Sequence, residues 1–239
     1  MIGALLTRMR QRQSPLFLVL KRVLYGVRDL YLPLPDFLRP ILRLGFYAQQ
    51  GALNGVRWLL AVLIYEPLFR GRCASAGRRL RVIRMPYIIG PISIHIGDDV
   101  NFFGKVDIGS GYVCENPRLI LHDRVTVGHN ALFLVNKLVE IESDVNVAVG
   151  VRIMDTDAHP RDTAARIAFL PPGDDEVRPV RICRGAWIGL NAAVMKGVTV
   201  GEGAIIGVNS VVYTDVPPHT VAMGNPARVI ARNTPRPSP

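Results

Sequence analysis

The chain has 239 residues, of which 49% are apolar, and its 29 Lys and Arg against 19 Asp and Glu give a formal net charge of +10. This length and apolar content exclude a disordered tail protein or a small disulfide-stapled scaffold. The charge is unevenly divided, because residues 1–90 hold 15 basic and 3 acidic residues whereas residues 91–239 hold 14 and 16. The two parts of the chain are therefore expected to meet different surroundings.

The basic part has the pattern of amphipathic helices. Leu-rich segments at 16–32, 37–46 and 53–69 alternate with prolines, which predicts short helices that the prolines break. Apolar residues recur every three or four positions in the first segment, with cations between them, and such a helix can lie in a bilayer interface. Alternatively, these helices pack on the globular part or on a neighbouring subunit. Residues 1–85 are thus predicted to be a basic helical region.

Three features of the sequence bear on compartment and partners. The longest uncharged apolar stretch of the basic part, Trp58–Tyr65, is too short to span a bilayer, so no spanning helix is predicted. Cys73, Cys114 and Cys183 are odd in number and far apart, which favours a reducing compartment. No nucleic-acid recognition module accompanies the positive charge. The protein is expected to be cytoplasmic, at the inner face of a membrane with anionic lipids.

Beyond residue 90 apolar residues recur with a period of six, which neither a helix nor a single strand produces. A six-residue unit with one inward aliphatic side chain predicts a solenoid, in which three units close one coil and successive coils stack. This β-helix is predicted over residues 86–232, with a flexible tail at 233–239. The inward positions are Ile96, Phe102, Ile108, Cys114 and Ile120, then Ile141, Val147 and Ile153, then Ile182, Ile188, Val194, Val200, Ile206 and Val212.

The period breaks most strongly between Ile153 and Ile182, and a smaller phase shift is expected around 127–130. Residues 155–181 are predicted to form a loop on the outer face of the solenoid, where binding residues tend to lie. The loop opens with Asp155, Asp157 and His159. The two aspartates either orient the imidazole or turn the chain out of the coil.

Several motifs of the second half resemble those of the hexapeptide-repeat acyltransferases, particularly sugar O-acetyltransferases such as the maltose and galactoside acetyltransferases. The resemblance covers about residues 90–232 and implies a left-handed parallel β-helix, a homotrimer with active sites between subunits, and acetyl-coenzyme A as donor. The motifs that carry it are Trp187-Ile188-Gly189, Lys196-Gly197-Val198-Thr199-Val200-Gly201, Ile206-Gly207-Val208-Asn209-Ser210-Val211-Val212 and Gly224-Asn225-Pro226-Ala227-Arg228-Val229-Ile230.

The resemblance also implies roles for individual residues. His159 matches the position of the general base, and Asn130 and Asp157 match the acceptor site. Tyr213 and Thr214 stand where the family usually has Thr-Lys, and this departure leaves the coenzyme phosphates to Arg228 or another basic residue. The residues assigned to the coenzyme are Trp187, Leu190, Val208, Tyr213, Thr214 and Arg228.

A neutral histidine can accept the proton of a sugar hydroxyl while the hydroxyl oxygen attacks a thioester. The thioester is already activated, so no covalent acyl-enzyme is needed. The predicted function is O-acetylation of a sugar of a cell-surface polysaccharide or lipid-linked glycan precursor. Two alternatives stay open: a small acceptor such as a free sugar, serine or an antibiotic, and a non-enzymatic, membrane-recruited trimeric scaffold. No metal is expected, because His122 and His129 are out of step with a six-residue rung and no third histidine pairs with them.

Overall fold

The computed structural model describes residues 15–29, 31, 34–111 and 113–233. The parts of the predicted helical region at 1–14 and of the predicted tail at 234–239 lie outside the described residues. Between Ala52 and Leu53 the chain divides into two compact units.

The helical region ends in a continuous helix from Asp36 to Arg72, so the prediction of short helices broken by prolines is wrong there. Pro40 lies in the first turn, where a missing N–H costs no helical hydrogen bond. Pro67 follows a π-helical turn, in which the N–H of Glu66 donates to the carbonyl of Ala61, five residues back. The elements are α1 (Pro15–Arg28), a 3₁₀ turn (Asp36–Leu38), α2 (Arg39–Leu60), the π turn (Ala61–Tyr65) and α3 (Glu66–Arg72).

The continuous helix also overturns the expectation that the chain has no helix able to span a bilayer. Within the described residues, Asp36–Arg72 is one helix that is long and apolar enough to cross a membrane, by length and composition alone. Only 11% of its most apolar window is buried inside the protein. The sequence-based expectation failed because it counted the arginines as ends of apolar segments, although they interrupt neither the helix nor its apolar faces.

The rest of the chain winds into six coils of three short strands each. The coils are β1 (Ser75–Ala76), β2 (Arg81–Val82) and β3 (Tyr87–Ile89); β4 (Ser93–Ile96), β5 (Asn101–Phe102) and β6 (Val106–Gly109); β7 (Arg118–Leu121), β8 (Thr126–Val127) and β9 (Ala131–Leu134); β10 (Leu138–Ile141), β11 (Asn146–Val147) and β12 (Arg152–Met154); β13 (Val180–Ile182), β14 (Trp187–Ile188) and β15 (Ala193–Val194); and β16 (Thr199–Val200), β17 (Ile205–Ile206) and β18 (Val211–Val212). An antiparallel pair, β19 (Thr220–Gly224) and β20 (Ala227–Arg232), closes the C-terminal end.

Equivalent strands of successive coils pair in parallel and form the three faces of a left-handed parallel β-helix, as predicted. Sheet I consists of β1, β4, β7, β10, β13 and β16 in spatial order. Sheet II consists of β2, β5, β8, β11, β14, β17, β19 and β20, and sheet III of β3, β6, β9, β12, β15 and β18. The first coil begins at Ser75, ahead of the predicted boundary at residue 86.

The inward positions predicted in the last two coils are all buried, from Ile182 to Val212, as are Ile141, Val147 and Ile153. Cys114 and Ile120 are different: Cys114 lies in the 110–117 connection, and the inward residues of β7 are Leu119 and Leu121. The predicted phase shift at 127–130 is therefore misplaced. The period slips at 110–117, where extra residues bulge out before β7, whereas Val127 stays in phase and buried.

The corners of the coil depend on residues in the left-handed backbone region. At the corner between sheets II and III these are Asn130, Gly150, Asn191 and Asn209, with φ of 58°, 72°, 57° and 58°. A Cβ on Gly150 would lie 2.1 Å from Oδ1 of Asn191 in the next coil, so a side chain at this position would displace the Asn191 amide.

The N-terminal end of the β-helix is capped by α3. Phe69 is fully buried and meets the ring of Phe102 edge-on, with centroids 5.5 Å apart. Arg70 and Arg72 donate to the carbonyls of Gly77 and Ile92 at 2.7 and 3.1 Å. The first coil, which has no coil before it, thereby obtains a covered core, as terminal repeats of solenoids require.

Candidate active site

The long break in the coil is an ordered loop over residues 155–179, two residues shorter than predicted, with the helix α4 (Thr163–Ile167) and a 3₁₀ turn (Asp174–Glu176). The loop leaves at the corner between sheets III and I. It folds back toward earlier coils, where Sγ of Cys114 donates to Oδ1 of Asp174 at 2.9 Å. A cleft of about 300 Å³ opens between the loop and sheet III, with Gly109, Leu134, Thr156 and Pro171 among its lining residues.

Asp155, which opens the loop, is fully buried and holds the chain at this corner. Its carboxylate accepts the backbone N–H groups of Asn136, Lys137 and Leu138 at 2.8, 2.7 and 2.9 Å. Burial raises the pKa of Asp155 above its ordinary value, and the three N–H donors oppose that rise. Of the two roles left open for this residue, the contacts show the structural one, because Asp155 fixes the start of the loop to the coil below.

Asp157 is tied to a lysine from a later coil. Nζ of Lys196 lies 2.7 Å from Oδ2 of Asp157 and donates to the carbonyl of Glu176 at 2.8 Å. The lysine side chain is only 6% exposed. A buried ammonium group needs such partners, and removal of one of them is strongly destabilising. The salt bridge therefore joins both ends of the loop to the β-helix.

A second anchor lies on the other side of His159. The carboxylate of Glu176 accepts the N–H of Arg161 at 2.8 Å and that of Gly173 at 3.1 Å. His159 thus stands midway between Asp157, held by Lys196, and Arg161, held by Glu176. We call these four partners the loop anchor: Asp157, Arg161, Glu176 and Lys196.

The imidazole of His159 itself is exposed, next to Ala158, which lines the cleft. Its side chain makes no hydrogen bond to any other residue in the described part of the chain. An exposed imidazole on an anchored segment can exchange protons with a bound molecule, as a general base does.

The structure does not bring Asn130 to this loop within one chain. Asn130 precedes β9, whereas the loop follows β12, the neighbouring strand of sheet III; the intervening four-residue strand is about 13 Å long. Asn130 also occupies the same left-handed corner position as Asn191 and Asn209. Its turn geometry alone accounts for an asparagine here, and its exposed side chain leaves an acceptor contact as a hypothesis.

The residues assigned to the coenzyme fall into three places. Trp187, 50% exposed on sheet II, precedes Leu190, which lies beside Val208 at the corner between sheets II and III. Together with Val149 of the preceding coil, Leu190 and Val208 form a column of exposed apolar side chains. Tyr213 and Thr214 lie at the opposite end of sheet III, after β18. Arg228 is exposed on β20, where its guanidinium donates to the carbonyl of Ala227 at 3.0 Å.

His159 lies in a loop, as the sequence predicted, whereas sequence reasoning missed the positions of Lys196 and Glu176 in the loop anchor. One signal for the lysine exists, because Lys196 is the sole charged residue between Gly185 and Gly201. A charge in so apolar a stretch of the repeat indicates a specific partner. No group of three or more histidine, cysteine, aspartate or glutamate side chains that could hold a metal occurs among the described residues.

Comparisons with known proteins support the fold and the family resemblance. No family model matches the chain. A protein of Schizosaccharomyces pombe named "putative acetyltransferase" is 36% identical over 104 residues, which are 44% of this chain and 48% of that protein. The chain thus spans about half the length of this curated relative.

Among solved structures, the N-acyltransferase AntD from Bacillus cereus, in complex with dTDP-4-amino-4,6-dideoxyglucose and coenzyme A, has a TM-score of 0.55 at 16% identity. The match covers 71% of this chain and 89% of AntD, and it establishes the fold alone. A maltose O-acetyltransferase from Clostridium difficile 630 is 29% identical with a TM-score of 0.46, over 71% of this chain and 75% of that one.

The six-residue coil and the similarity to a protein named as a putative acetyltransferase agree with the family resemblance. The chain resembles the hexapeptide-repeat acyltransferases in sequence and has their left-handed parallel β-helix.

Proposed function

We propose that this protein transfers an acetyl group from acetyl-coenzyme A to a sugar hydroxyl, with His159 as general base. The observation that carries the proposal is the free imidazole of His159, which lies between two anchored residues, Asp157 and Arg161, beside a cleft of about 300 Å³. The names of the sequence relatives as acetyltransferases agree with the reaction class. The coenzyme A bound to AntD agrees with the donor.

In the proposed reaction, the acceptor oxygen bonds to the thioester carbonyl carbon while His159 takes the hydroxyl proton. The tetrahedral intermediate then collapses, the carbon–sulfur bond breaks, and the coenzyme A thiolate receives the proton from His159. Such general acid–base catalysis contributes typically about 10²–10⁴-fold. The thioester is already activated, so the transfer is direct.

The coenzyme is proposed to lie along the exposed column of Leu190 and Val208, with Trp187 as a stacking surface. Arg228 is the proposed partner of a coenzyme phosphate, since a guanidinium binds phosphate oxygens well. Within one chain these residues lie at a different corner from His159. A homotrimer, in which one subunit supplies His159 and its neighbour supplies the coenzyme surface, would unite them, and we propose this assembly.

The acceptor is proposed to be a sugar of a cell-surface polysaccharide or of its lipid-linked precursor, with Asn130 and Asp157 as contacts. Support for a membrane-side acceptor comes from the exposed cations of α1 and α2, including Lys21, Arg28 and Arg43. Cations near an anionic bilayer contribute about 1 kcal/mol each. The proposal puts the protein in the cytoplasm, at the inner face of the membrane.

The test is acetyl transfer from radiolabelled acetyl-coenzyme A into a panel of polysaccharides, lipid-linked glycans and free sugars. We expect His159→Ala to lose about 10²–10⁴-fold in rate. His122→Ala is the matched control, because His122 is a partly exposed histidine that pairs with Glu140 at 3.0 Å, on sheet I, and should retain the wild-type rate. Undiminished transfer by His159→Ala would refute the mechanism.

The competing scaffold function makes a different prediction. A scaffold that only presents partners needs no donor, so calorimetric titration with acetyl-coenzyme A would show no binding. Binding that is weakened by Arg228→Gln, and unchanged by Arg118→Gln on sheet I, would support the enzyme.

A further inference from the structure

A second cleft, of about 370 Å³, lies at the N-terminal end of the β-helix and has no part in the proposed reaction. It opens between the helix and the first two coils, where the chain passes from sheet II to sheet III. Its lining residues are Arg57, Leu60, Tyr65, Ile83, Arg84, Met85 and Lys105.

Three of these seven side chains are cations and none is an acid. Arg84 has no ion pair or side-chain hydrogen bond to any other described residue. Arg57 has only a 3.4 Å contact with Oδ1 of Asn54. Lys105 is partly neutralised by Asp107, 3.1 Å away, so two positive charges face the cleft without a compensating carboxylate. Like charges held together repel each other, and a bound anion removes that cost.

Large exposed apolar side chains occur in the lining of this cleft and on the stretch of helix that contributes Arg57 and Leu60 to it. Trp58 and Leu63 on the helix are 64% and 68% exposed, and Ile83 and Met85 on the first coil are 41% and 37% exposed. Large apolar side chains concentrated around a charged pocket indicate an amphiphilic ligand, since a free anion gains nothing from them. Aromatic side chains such as Trp58 and Tyr65 are also typical of the depth at which lipid headgroups lie.

We propose that this cleft binds the phosphate group of an anionic phospholipid, with Arg57, Arg84 and Lys105 as its partners. The exposed apolar side chains of the cleft and of the adjoining helix then enter the acyl region of the leaflet. This site is independent of acetyl transfer, and its tests do not require acetyl-coenzyme A. The basic helices attract an anionic membrane without specifying an orientation. A phosphate site in this cleft adds one defined position at which the β-helix contacts the lipid.

The test is co-sedimentation of the full chain with vesicles of equimolar phosphatidylcholine and phosphatidylglycerol. The variant Arg57→Gln/Arg84→Gln/Lys105→Gln should bind about a hundredfold more weakly, because each cation at the surface is worth about fivefold. The matched control removes three exposed cations elsewhere on the β-helix, in Arg118→Gln/Arg152→Gln/Arg232→Gln, and should change binding less than about threefold. Equal losses in the two variants, or no binding by the wild type, would overturn the site.

Two further measurements separate a lipid from a free anion. Trp58 and Trp187 are the two tryptophans of the chain, so Trp187→Phe isolates the fluorescence of Trp58. Vesicles that contain brominated phosphatidylglycerol should quench Trp58 in this variant; unquenched fluorescence with vesicles bound would overturn the proposed depth. Inorganic phosphate should not displace the vesicles, and displacement at millimolar phosphate would identify a soluble anion as the ligand instead.

Discussion

The β-helix buries its inward apolar side chains, whereas the helix Asp36–Arg72 leaves most of its large apolar side chains exposed. In the β-helix, inward residues from Leu80 to Val212 are almost completely buried, and each coil covers the next. In the helix, Ala61 and Phe69 are buried, whereas large side chains such as Phe46, Trp58 and Leu63 are more than half exposed. A repeat fold supplies its own partner for every apolar ladder, whereas a single helix does not.

Burial, and not apolar content, therefore distinguishes the part of the chain that stabilises the fold from the part that is available to bind partners. The two regions are similarly rich in leucine, isoleucine and valine. Mutations should therefore affect folding in the β-helix and its cap, and association with partners in the exposed helix.

The largest effect is expected at the junction between the two regions. Phe69→Ala should lower the free energy of unfolding by about 3–5 kcal/mol, because it empties a fully buried site against Phe102. Leu63→Ala on the exposed part of the helix should change it by less than about 0.5 kcal/mol. Urea unfolding of both variants measures the difference. Comparable losses would mean that the exposed helix is part of the folded core.

A more local effect is expected in the loop that carries His159. Lys196→Met removes the buried ammonium group that contacts Asp157 and the carbonyl of Glu176. Hydrogen bonds of a charged group are worth about 1.5–3 kcal/mol each. Hydrogen exchange should accelerate at 157–176 and stay slow in the coils. The control is Lys137→Met, an exposed lysine 4.0 Å from Asp174. Unchanged exchange in the Lys196 variant would contradict the loop anchor.

The corner between sheets I and II makes the fold sensitive to acid. Hydrogen bonds from Arg79 and Arg124 hold the pKa of Asp99 and Asp144 below the ordinary aspartate value. This stabilisation is present above about pH 3.9, the pKa of the unfolded chain, and is lost as the pH falls through the lower pKa of the folded protein.

The urea midpoint should therefore fall between about pH 4 and pH 2. In Arg124→Gln the fall should be shallower, because the pKa of Asp144 returns toward its ordinary value and Asp144 then contributes less to the acid response. A profile identical to that of the wild type would show that this ion pair contributes nothing to the acid response.

The smallest effect on stability is expected at the left-handed corners. Asn130→Gly should alter the free energy of unfolding by less than about 1 kcal/mol, because glycine also adopts a φ of 58° readily. Asn191→Gly is the matched control at the equivalent corner of a later coil. If Asn130 contacts the acceptor, only its variant loses acetyl transfer. Equal activity of the two variants would leave Asn130 as a turn residue.

Much of the fold follows from the sequence because the six-residue period is a local signal. Ile182 to Val212 are in phase without interruption, and their burial was predictable residue by residue. The prediction failed where the six-residue period is interrupted. Cys114 and Ile120 were predicted to point inward because they lie six and twelve residues after Ile108, but the chain bulges out of the coil at 110–117. A count of residues contains no information about how far a loop departs from the coil.

The candidate site divides in the same way. The position of His159 in a long insertion was predictable, because the insertion interrupts a regular pattern. The salt bridge between Asp157 and Lys196 was not, since these residues are separated along the chain by a folded loop and three coil strands. The same holds for Asp155, whose three N–H donors lie 17 to 19 residues earlier, at the turn between β9 and β10.

The sequence by itself determined the repeat, the inward ladders and the uneven distribution of charge, because each of these depends on residues close together along the chain. The tertiary structure decided that Pro40 and Pro67 leave one helix intact, that this helix stays largely unburied, and that His159 is free between anchored neighbours. These outcomes depend on which groups meet across coils and turns. Long-range contacts and burial settle them, and neither can be read from local periodicity.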